Sequence, residues 1–373
     1  MAAEWEGYLE RWHAAALVDG EAVQRIREFE GSQAPSRRLR WPILLALAFG
    51  ALLLGAGVLL FVSAHWDELS PLQRMLLVVL MVVVFHAGGA FTRKHFEGLA
   101  MALHAVGTLT LGAGIALAGQ IFNMQEHWPA AILMWALGAL AGWALLGHWS
   151  QAALLALLIP AWLAGEWFVA LDGLRANYPF PVTHGLCMLA FAYLTVDSAG
   201  ASSPLQRALR WIGGLCLLPS VVPVVVYPWF RETWKSPGIP LIILGWVVAL
   251  GLPLAVAVLF RRRAALLNLG ATVWVLAAGG IAHARADVLI YLWCALGCVG
   301  LIAWGVYESR TERINLGIAG FAITLLVFYF SSVMDKLGRS ASLIGLGVLF
   351  LAGGWALEKA RRRLVARARP GGA

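Results

Sequence analysis

Glu166 is a carboxylate inside a long apolar stretch of this chain, and three histidines lie in comparable positions: His86, His104 and His184. A charged side chain at the centre of a bilayer costs about 3 kcal/mol or more unless it is paired or protonated, so such residues mark functional sites by default. The helical rise places Glu166 about 6 Å below the outer end of its stretch. We expect it to pair with His184 or His283 in a polar cavity that opens to the outside. The alternative is an interfacial glutamate that reaches the lipid headgroups.

Other polar residues at the outer ends of the apolar stretches complete this predicted cavity: His65, Asp67, Gln120, Asn123, His184, His283 and Asp287. Their spacing matches no metal-ligand pattern, so no metal site is predicted. The four cysteines all lie in apolar stretches, which favours packing rather than a disulfide framework. The chain contains no P-loop, HExxH or GxSxG motif. The sequence therefore predicts no catalytic residue and no cofactor, and it does not favour an enzyme.

Two further groups of residues suggest motion or proton transfer. His86 and His104 fall near the inner ends of consecutive stretches, where antiparallel helices would bring them together as a proton relay or as a pair of packing histidines. Pro219 and Pro223 share one apolar stretch, and a proline removes a backbone donor and kinks a helix. They are hinge candidates, because broken helices often line transporter sites, and simple kinks are the alternative.

The composition decides the class of protein. Hydrophobic residues make up 61% of the chain and charged residues 13%, which is too apolar for a water-soluble fold. The net charge of +8 comes from arginines at the ends of apolar stretches, with no basic stripe interleaved with aromatic residues. This placement argues against nucleic-acid binding and leaves the lipid bilayer as the predicted partner.

Twelve apolar stretches are long enough to be membrane-spanning helices, because a bilayer core about 30 Å thick needs roughly 20 helical residues. They are Trp41–Val62, Met75–Ala90, Gly98–Gly119, Pro129–Gly147, Ala152–Ala170, Val182–Val196, Trp211–Pro228, Ile239–Phe260, Ala264–Ala282, Val288–Gly305, Asn315–Val333 and Ala341–Leu357. The sixth is short, so ten or eleven spans stay open. The sequence thus predicts an all-α polytopic membrane bundle of about 12 transmembrane helices over residues 37–358.

The distribution of Lys and Arg predicts the orientation. With the N-terminus in the cytoplasm, the inner segments hold eighteen of these residues and the outer segments hold seven. An even number of spans with both termini inside gives this bias along the whole chain.

The two ends of the chain are predicted to be cytoplasmic. Residues 1–36 form a small amphipathic helical hairpin, in which Trp5, Leu9 and Trp12 recur at helical spacing and Asp19-Gly20 breaks the first helix. It is too short to bury a core, so it packs on the membrane surface or docks a protein partner. Residues 359–373 form a basic tail. The first apolar stretch begins too far along the chain for a signal peptide, so we expect it to remain as a span.

Several local patterns occur in an order that resembles one family. They are the hairpin from Trp12 to Glu30, the stretch Phe61–Arg74 (FVSAHWDELSPLQR), Gly119-Gln120-Ile121-Phe122, and the span that contains Trp128 and Met134-Trp135-Ala136-Leu137. Over about residues 5–170 the chain resembles the bacterial predicted membrane proteins of the domain-of-unknown-function 2157 family. The resemblance implies a multi-pass protein of the bacterial inner membrane and no mechanism.

Two functions are consistent with these patterns. The first is a transporter-like or lipid- and small-molecule-handling protein with an outward-facing polar cavity near Glu166. The second is a non-catalytic scaffold or sensor that docks partners through residues 1–36. A third, an intramembrane enzyme, has the least support, because no paired catalytic groups share a span end.

Overall fold

A computed structural model describes residues 4–32, 69–94, 96–121, 127–196, 203–226, 235–284 and 287–333, together with isolated helical positions at 49, 50, 53, 57, 60, 347, 348, 351 and 359. Throughout this part of the chain the secondary structure is helical. The predicted all-α membrane class is therefore confirmed.

Twelve α-helices are described, and we number them in chain order. They are α1 Glu4–Ala14, α2 Gly20–Ser32, α3 Pro71–Thr92, α4 Glu97–Ile121, α5 Pro129–Leu146, α6 Trp149–Gly173, α7 Phe180–Leu194, α8 Pro204–Val226, α9 Ile239–Arg261, α10 Leu266–His283, α11 Asp287–Tyr307 and α12 Thr311–Phe328. A 3₁₀ turn at Arg262–Ala265 joins α9 to α10, and a π-helical turn at Tyr329–Val333 follows α12.

Nine helices of the described part, α3 to α6 and α8 to α12, are long and apolar enough to cross a membrane, and α7 is a shorter apolar helix. These ten correspond to the second to eleventh predicted spans. The predicted spans Trp41–Val62 and Ala341–Leu357 fall almost wholly outside the described residues, so the total of twelve stays a prediction. Helices α1 and α2 both lie in residues 1–36. The predicted hairpin and its cytoplasmic position stay predictions as well.

The bundle is assembled from pairs of consecutive helices. Besides the non-consecutive pair α7 and α9, which contact each other as extensively as α5 and α6 do, the most extensive contacts are made by the consecutive pairs α3 with α4, α5 with α6, α7 with α8 and α11 with α12. Because the loops between these helices are short, partners run antiparallel and chain direction alternates. Two ends of the bundle result. The Glu166 end carries the start of α5 and the end of α6, and the Glu308 end carries the end of α9 and the α11–α12 turn.

The short helix α7 is the most buried one in the described bundle. Eleven of its fifteen residues are buried, from Pro181 to Leu194. Its neighbours are α8, α9 and α10, with lighter contact to α6. A helix that is hydrophobic all round belongs in an interior, which is where α7 lies. At 1.5 Å per residue it spans about 23 Å, less than the roughly 30 Å of the hydrocarbon core.

Glycines allow neighbouring helices of the bundle to approach closely. A Cβ at Gly213 of α8 would lie 2.2 Å from the backbone nitrogen of Leu194, and one at Gly317 of α12 would lie 2.8 Å from the carbonyl oxygen of Cys298. Such contacts are backbone to backbone, so a side chain at either position would push two helices apart. Small residues serve the same purpose in other membrane helix pairs.

Prolines lie inside three helices without ending them: Pro160 in α6, Pro219 and Pro223 in α8, and Pro253 in α9. Each leaves the carbonyl four residues earlier without its helical amide partner. In α6 that carbonyl belongs to Ala156, and it accepts a 2.8 Å hydrogen bond from the hydroxyl of Tyr193 on α7. The role of Pro219 and Pro223 as hinges stays a prediction.

Candidate functional site

A groove of about 320 Å³ lies between α6, α7 and α9, toward the Glu166 end. Apolar side chains form its walls, with Leu163 from α6, Leu189 from α7 and Val248 from α9 among them. Leu186 and Leu244 line it and are also exposed on the surface of the bundle, so the groove opens sideways to the region that lipid tails occupy. Glu166 is the one charged residue among its described lining.

Close contacts between helices fix the shape of this groove. Gly185 of α7 lies against Ala249 of α9, and a Cβ on the glycine would come within 3.0 Å of the alanine Cβ. Trp167 of α6 packs its ring on Gly245 of α9 and donates its indole hydrogen bond to the carbonyl of Tyr178 at 2.9 Å. The indole is thus held at both its ring and its nitrogen. The groove is a preformed space between helices that touch on either side of it.

The Glu166 carboxylate has two partners at the mouth of the groove. Its Oε2 lies 3.0 Å from Nε2 of His127, and its Oε1 accepts a 2.8 Å hydrogen bond from the indole nitrogen of Trp162, one helical turn earlier. The Glu166 side chain is 35% exposed, which fits a position near the membrane surface rather than the bilayer centre. The expected pairing of Glu166 with His184 or His283 is therefore wrong.

His184 is used in packing instead. It is buried, and its Nδ1 lies 2.8 Å from the carbonyl oxygen of Phe180 on its own helix. Its ring meets the indole of Trp246 edge-on at 5.3 Å between centroids. The Phe180 ring lies between His184 and His283, at 6.1 Å and 6.3 Å. These two histidines therefore share an aromatic cluster, which separates them from the expected glutamate.

The structure places two other predicted cavity residues on their helices, and their part in a cavity stays a prediction. Gln120 lies in the last turn of α4 and Asp287 is the first residue of α11. The predictions for His65, Asp67 and Asn123 fall outside the described residues. The expected polar cavity is also corrected in its chemistry: the groove beside Glu166 is apolar, because the helices that enclose it contribute leucine, valine, alanine and proline there.

The structure brings His86 and His104 together and adds a third histidine that the sequence reasoning missed. Nδ1 of His86 lies 3.0 Å from Nδ1 of His104, and the ring of His148 lies 5.6 Å from that of His104 between centroids. Gly89 and Gly107 make room for these rings, since a Cβ on either would come within 3.0 Å of an imidazole. Gln151 is buried beside them.

Polar contacts tie this histidine cluster to α6. The side-chain amide of Gln151 donates a 3.1 Å hydrogen bond to the carbonyl oxygen of His104. Burial lowers the pKa of His148, and the nearby Arg93 adds to this effect. His148 lies in the two-residue turn before α6. Its contact with His104 was not predicted because the two residues are far apart along the chain. No group of three His, Cys, Asp or Glu side chains in the described residues could hold a metal ion.

A second cluster that the sequence reasoning missed lies at the Glu308 end. Glu308, in the turn between α11 and α12, contacts two arginines: its Oε1 lies 2.5 Å from Nη2 of Arg261, and its Oε2 lies 2.5 Å from Nη1 of Arg313. Trp304 donates its indole hydrogen bond to the same carboxylate at 2.7 Å, and both guanidinium groups lie about 5 Å from the centre of its ring. Both arginines are buried.

Electrostatics at this cluster favour the charged carboxylate. Burial by itself would raise the pKa of Glu308, but hydrogen bonds from Arg261, Arg313 and Trp304 outweigh burial and hold that pKa below its ordinary value. Arg261 also donates a 2.8 Å hydrogen bond to the carbonyl of Thr195, at the end of α7. The cluster therefore connects α7, α9, α11 and α12. In the sequence, the signal for this cluster was that Glu308 lies between two spans and five residues before Arg313.

Comparison with known proteins gives a family for the N-terminal part. A family model described as predicted membrane protein (DUF2157) matches residues 10–152. Over these residues the chain is similar to the DUF2157 family. The resemblance predicted from the sequence is confirmed there. No curated protein and no solved structure matches the chain.

The DUF2157 region contains the histidine cluster and ends just inside α6. Glu166, most of the groove and the Glu308 cluster follow it in the chain.

Proposed function

We propose that this protein binds a lipid-like amphipathic molecule in the groove between α6, α7 and α9, with the polar end of that molecule at Glu166. The observation that supports this is an apolar groove of about 320 Å³ that ends at a hydrogen-bonded carboxylate. Its volume lies at the lower end of the range of small-molecule pockets. An apolar wall with one polar group at its mouth matches the two parts of an amphiphile.

The membrane position of the groove supports the same choice of ligand. The walls come from the candidate spans α6 and α9 and from the shorter apolar helix α7, and exposed leucines at the opening face the lipid region. A molecule already dissolved in the bilayer can enter sideways without passing through water. A water-soluble substrate would instead need a hydrated path with several polar partners, because unsatisfied polar groups are costly in hydrocarbon.

The predicted orientation assigns this function to one leaflet. Arg261, Arg310 and Arg313 lie at the Glu308 end, which the positive-inside rule assigns to the cytoplasm. The groove then faces the outer leaflet of the inner membrane, and the Glu308 cluster joins four helices on the opposite side. That arrangement suits a transporter-like protein that is open outward and closed inward.

Binding of an amphiphile to the purified protein in lipid nanodiscs tests this proposal. A single-chain fluorescent probe is titrated into wild type and into Ala164→Trp, which places an indole in the groove from α6. We expect the affinity to fall by about tenfold or more, because the apolar volume is occupied. Ala161→Trp is the matched control, since Ala161 is exposed on the same helix and does not line the groove. Equal binding by all three proteins would contradict the proposal.

Proton transfer through His86, His104 and His148 is a second candidate, supported by the 3.0 Å contact between the first two rings. A neutral imidazole donates at one nitrogen and accepts at the other, so neighbouring rings can pass a proton. Proteoliposomes that contain a pH-sensitive dye would report the decay of an imposed pH gradient. We expect His104→Phe to slow the decay and His13→Phe, in α1, to leave it unchanged. Identical rates in all three proteins would exclude the relay.

The alternative of a scaffold or sensor depends on residues 1–36. Trp12 and Phe29 are 47% and 59% exposed and are the apolar side chains that a partner would contact. A variant that lacks residues 1–36 and still binds the amphiphile would show that amphiphile binding and partner docking depend on different parts of the chain.

A further inference from the structure

We infer that the mouth of the groove selects an amphiphile with a positively charged amine head. This inference rests on the proposed function, because it assigns a chemical class to the ligand of that same groove. The first argument is charge: Glu166 is the one ionisable group in the described lining, and it stands where the apolar walls end. A polar head at this position meets a carboxylate.

The partners of Glu166 leave its negative charge without a permanent counter-charge. Trp162 donates a hydrogen bond but carries no charge. The contact at Nε2 of His127 is satisfied by the neutral Nε2–H tautomer, so it does not require a positive charge on the ring. Among the described residues no lysine or arginine forms an ion pair with Glu166, in contrast to Glu308, which contacts two arginines.

The carboxylate is also accessible. The Glu166 side chain is 35% exposed and His127 is 49% exposed, so a ligand head can approach without displacing a buried group. Carboxylates have several acceptor positions, and the contacts with His127 and Trp162 leave room for another donor. An ammonium group supplies both the charge and the donors that this site lacks.

Aromatic rings at the mouth add to the preference for a cation. Trp167 lines the groove next to Glu166, and the indole nitrogen of Trp162 contacts the Glu166 carboxylate. Cations are attracted to the faces of indole rings, and ammonium heads are commonly recognised in this way. An anionic head would meet the carboxylate with repulsion and would find no basic residue in the described lining, so the site discriminates against it.

The dimensions fit a head with an apolar body. From Glu166 down to Pro160, which also lines the groove, the helical rise gives about 9 Å of depth. The amine could belong to an aminated phospholipid head or to a free amphipathic amine, and the shared chemistry is an alkyl chain that ends in an ammonium group.

Three ligands that share a tail and differ in the head group distinguish binding of the head from binding of the tail. Dodecylamine, dodecanol and dodecanoate are titrated against wild type and Glu166→Gln in nanodiscs of phosphatidylglycerol, which has no amine. Comparing the two proteins in the same bilayer removes the effect of ligand partitioning. We expect the variant to lose about tenfold in affinity for dodecylamine and to keep its affinity for dodecanol, because a charge-assisted contact is lost only for the amine. Dodecanoate should gain affinity.

The control is Asp172→Asn, which removes a carboxylate from the same end of α6 outside the groove lining. It should leave all three affinities unchanged, and an effect equal to that of Glu166→Gln would show a general surface charge and overturn the inference. Equal losses for amine and alcohol in Glu166→Gln would also overturn it. If Ala164→Trp leaves dodecanol binding intact, the groove is not the site and the proposed function itself fails.

The source of the amine is resolved by lipid retention. Nanodiscs with equal parts of phosphatidylethanolamine and phosphatidylglycerol are dissolved, and the lipids that stay on the protein are measured by native mass spectrometry. Preferential retention of phosphatidylethanolamine by wild type, lost in Glu166→Gln, supports a lipid head. Discrimination among the dodecyl ligands without such retention supports a free amphipathic amine. Absence of any amine preference in both experiments overturns the inference.

Discussion

Tyr193 donates its hydroxyl hydrogen bond to the carbonyl oxygen of Ala156 at 2.8 Å, and that carbonyl is the one that Pro160 deprives of a helical amide. The contact joins the central helix α7 to α6 at the level of the groove. A proline that would otherwise leave an unsatisfied acceptor in hydrocarbon is thus compensated by a side chain from the next helix.

Tyr193→Phe should destabilise the protein by about 1 kcal/mol, because hydrogen bonds between membrane helices contribute on that scale. Thermal unfolding in detergent measures the change. Tyr178→Phe is the control, since the structure gives the Tyr178 hydroxyl no hydrogen bond in the described residues. In a Pro160→Ala background the carbonyl regains an amide, so the cost of Tyr193→Phe should shrink. An unchanged cost there would contradict this account.

Glu308→Gln should be more damaging. It removes the charge that faces two buried arginines, and breaking a buried pair by removing one partner costs about 3 kcal/mol or more. Glu312→Gln, four residues later, is the matched control: Glu312 is 35% exposed and pairs with Arg210, and exposed pairs contribute about 1 kcal/mol or less. Unfolding monitored by tryptophan fluorescence compares the two variants. Equal losses of stability in the two variants would mean that the Glu308 cluster does not stabilise the packing of these helices.

The stabilisation from Glu308 should also depend on pH. Its pKa in the folded protein lies below the ordinary 4.5, so folding favours the charged form. The contribution is therefore fully present above pH 4.5 and is lost as the pH falls through the lower folded pKa. The difference in melting temperature between wild type and Glu308→Gln should stay constant from neutral pH down to about this value and then narrow. A difference that widened toward acid would reverse the predicted sign.

Gly107→Ala should disturb the histidine cluster. The added Cβ would come within 2.8 Å of Nε2 of His86, so the ring or the helix must move. Gly119→Ala on the same helix meets nothing within 4 Å and should be neutral or stabilising by up to about 1 kcal/mol, because alanine is the better helix former. Thermal stability of both variants gives the comparison. If the two substitutions behaved alike, the glycine at 107 would have no packing role.

The sequence predicted the spans well because lipid imposes a simple rule on them. An apolar stretch near 20 residues long is a helix in a membrane whatever its neighbours are, and α3 to α12 follow the predicted stretches. The contact between His86 and His104 was predictable for a related reason, because the two residues lie near the same end of consecutive antiparallel helices.

The partners of the polar residues were less predictable. His127 and Glu166 are 39 residues apart, and Arg261 and Glu308 are 47 apart. Which helices meet depends on backbone contacts at glycines such as Gly213, and periodicity carries no information about them. His184 was expected beside Glu166 because both are polar and near the same end. The packing of α7 turned it toward Phe180 and Trp246 instead.

The enclosure of α7 also bears on how the protein is made. During synthesis, α7 is complete at residue 196, before α8, α9 and α10 have been made. At that stage the side chains of α7 contact lipid or earlier helices instead of their native neighbours. The native arrangement around α7 thus forms late in biosynthesis, once α10 has left the ribosome and entered the bilayer.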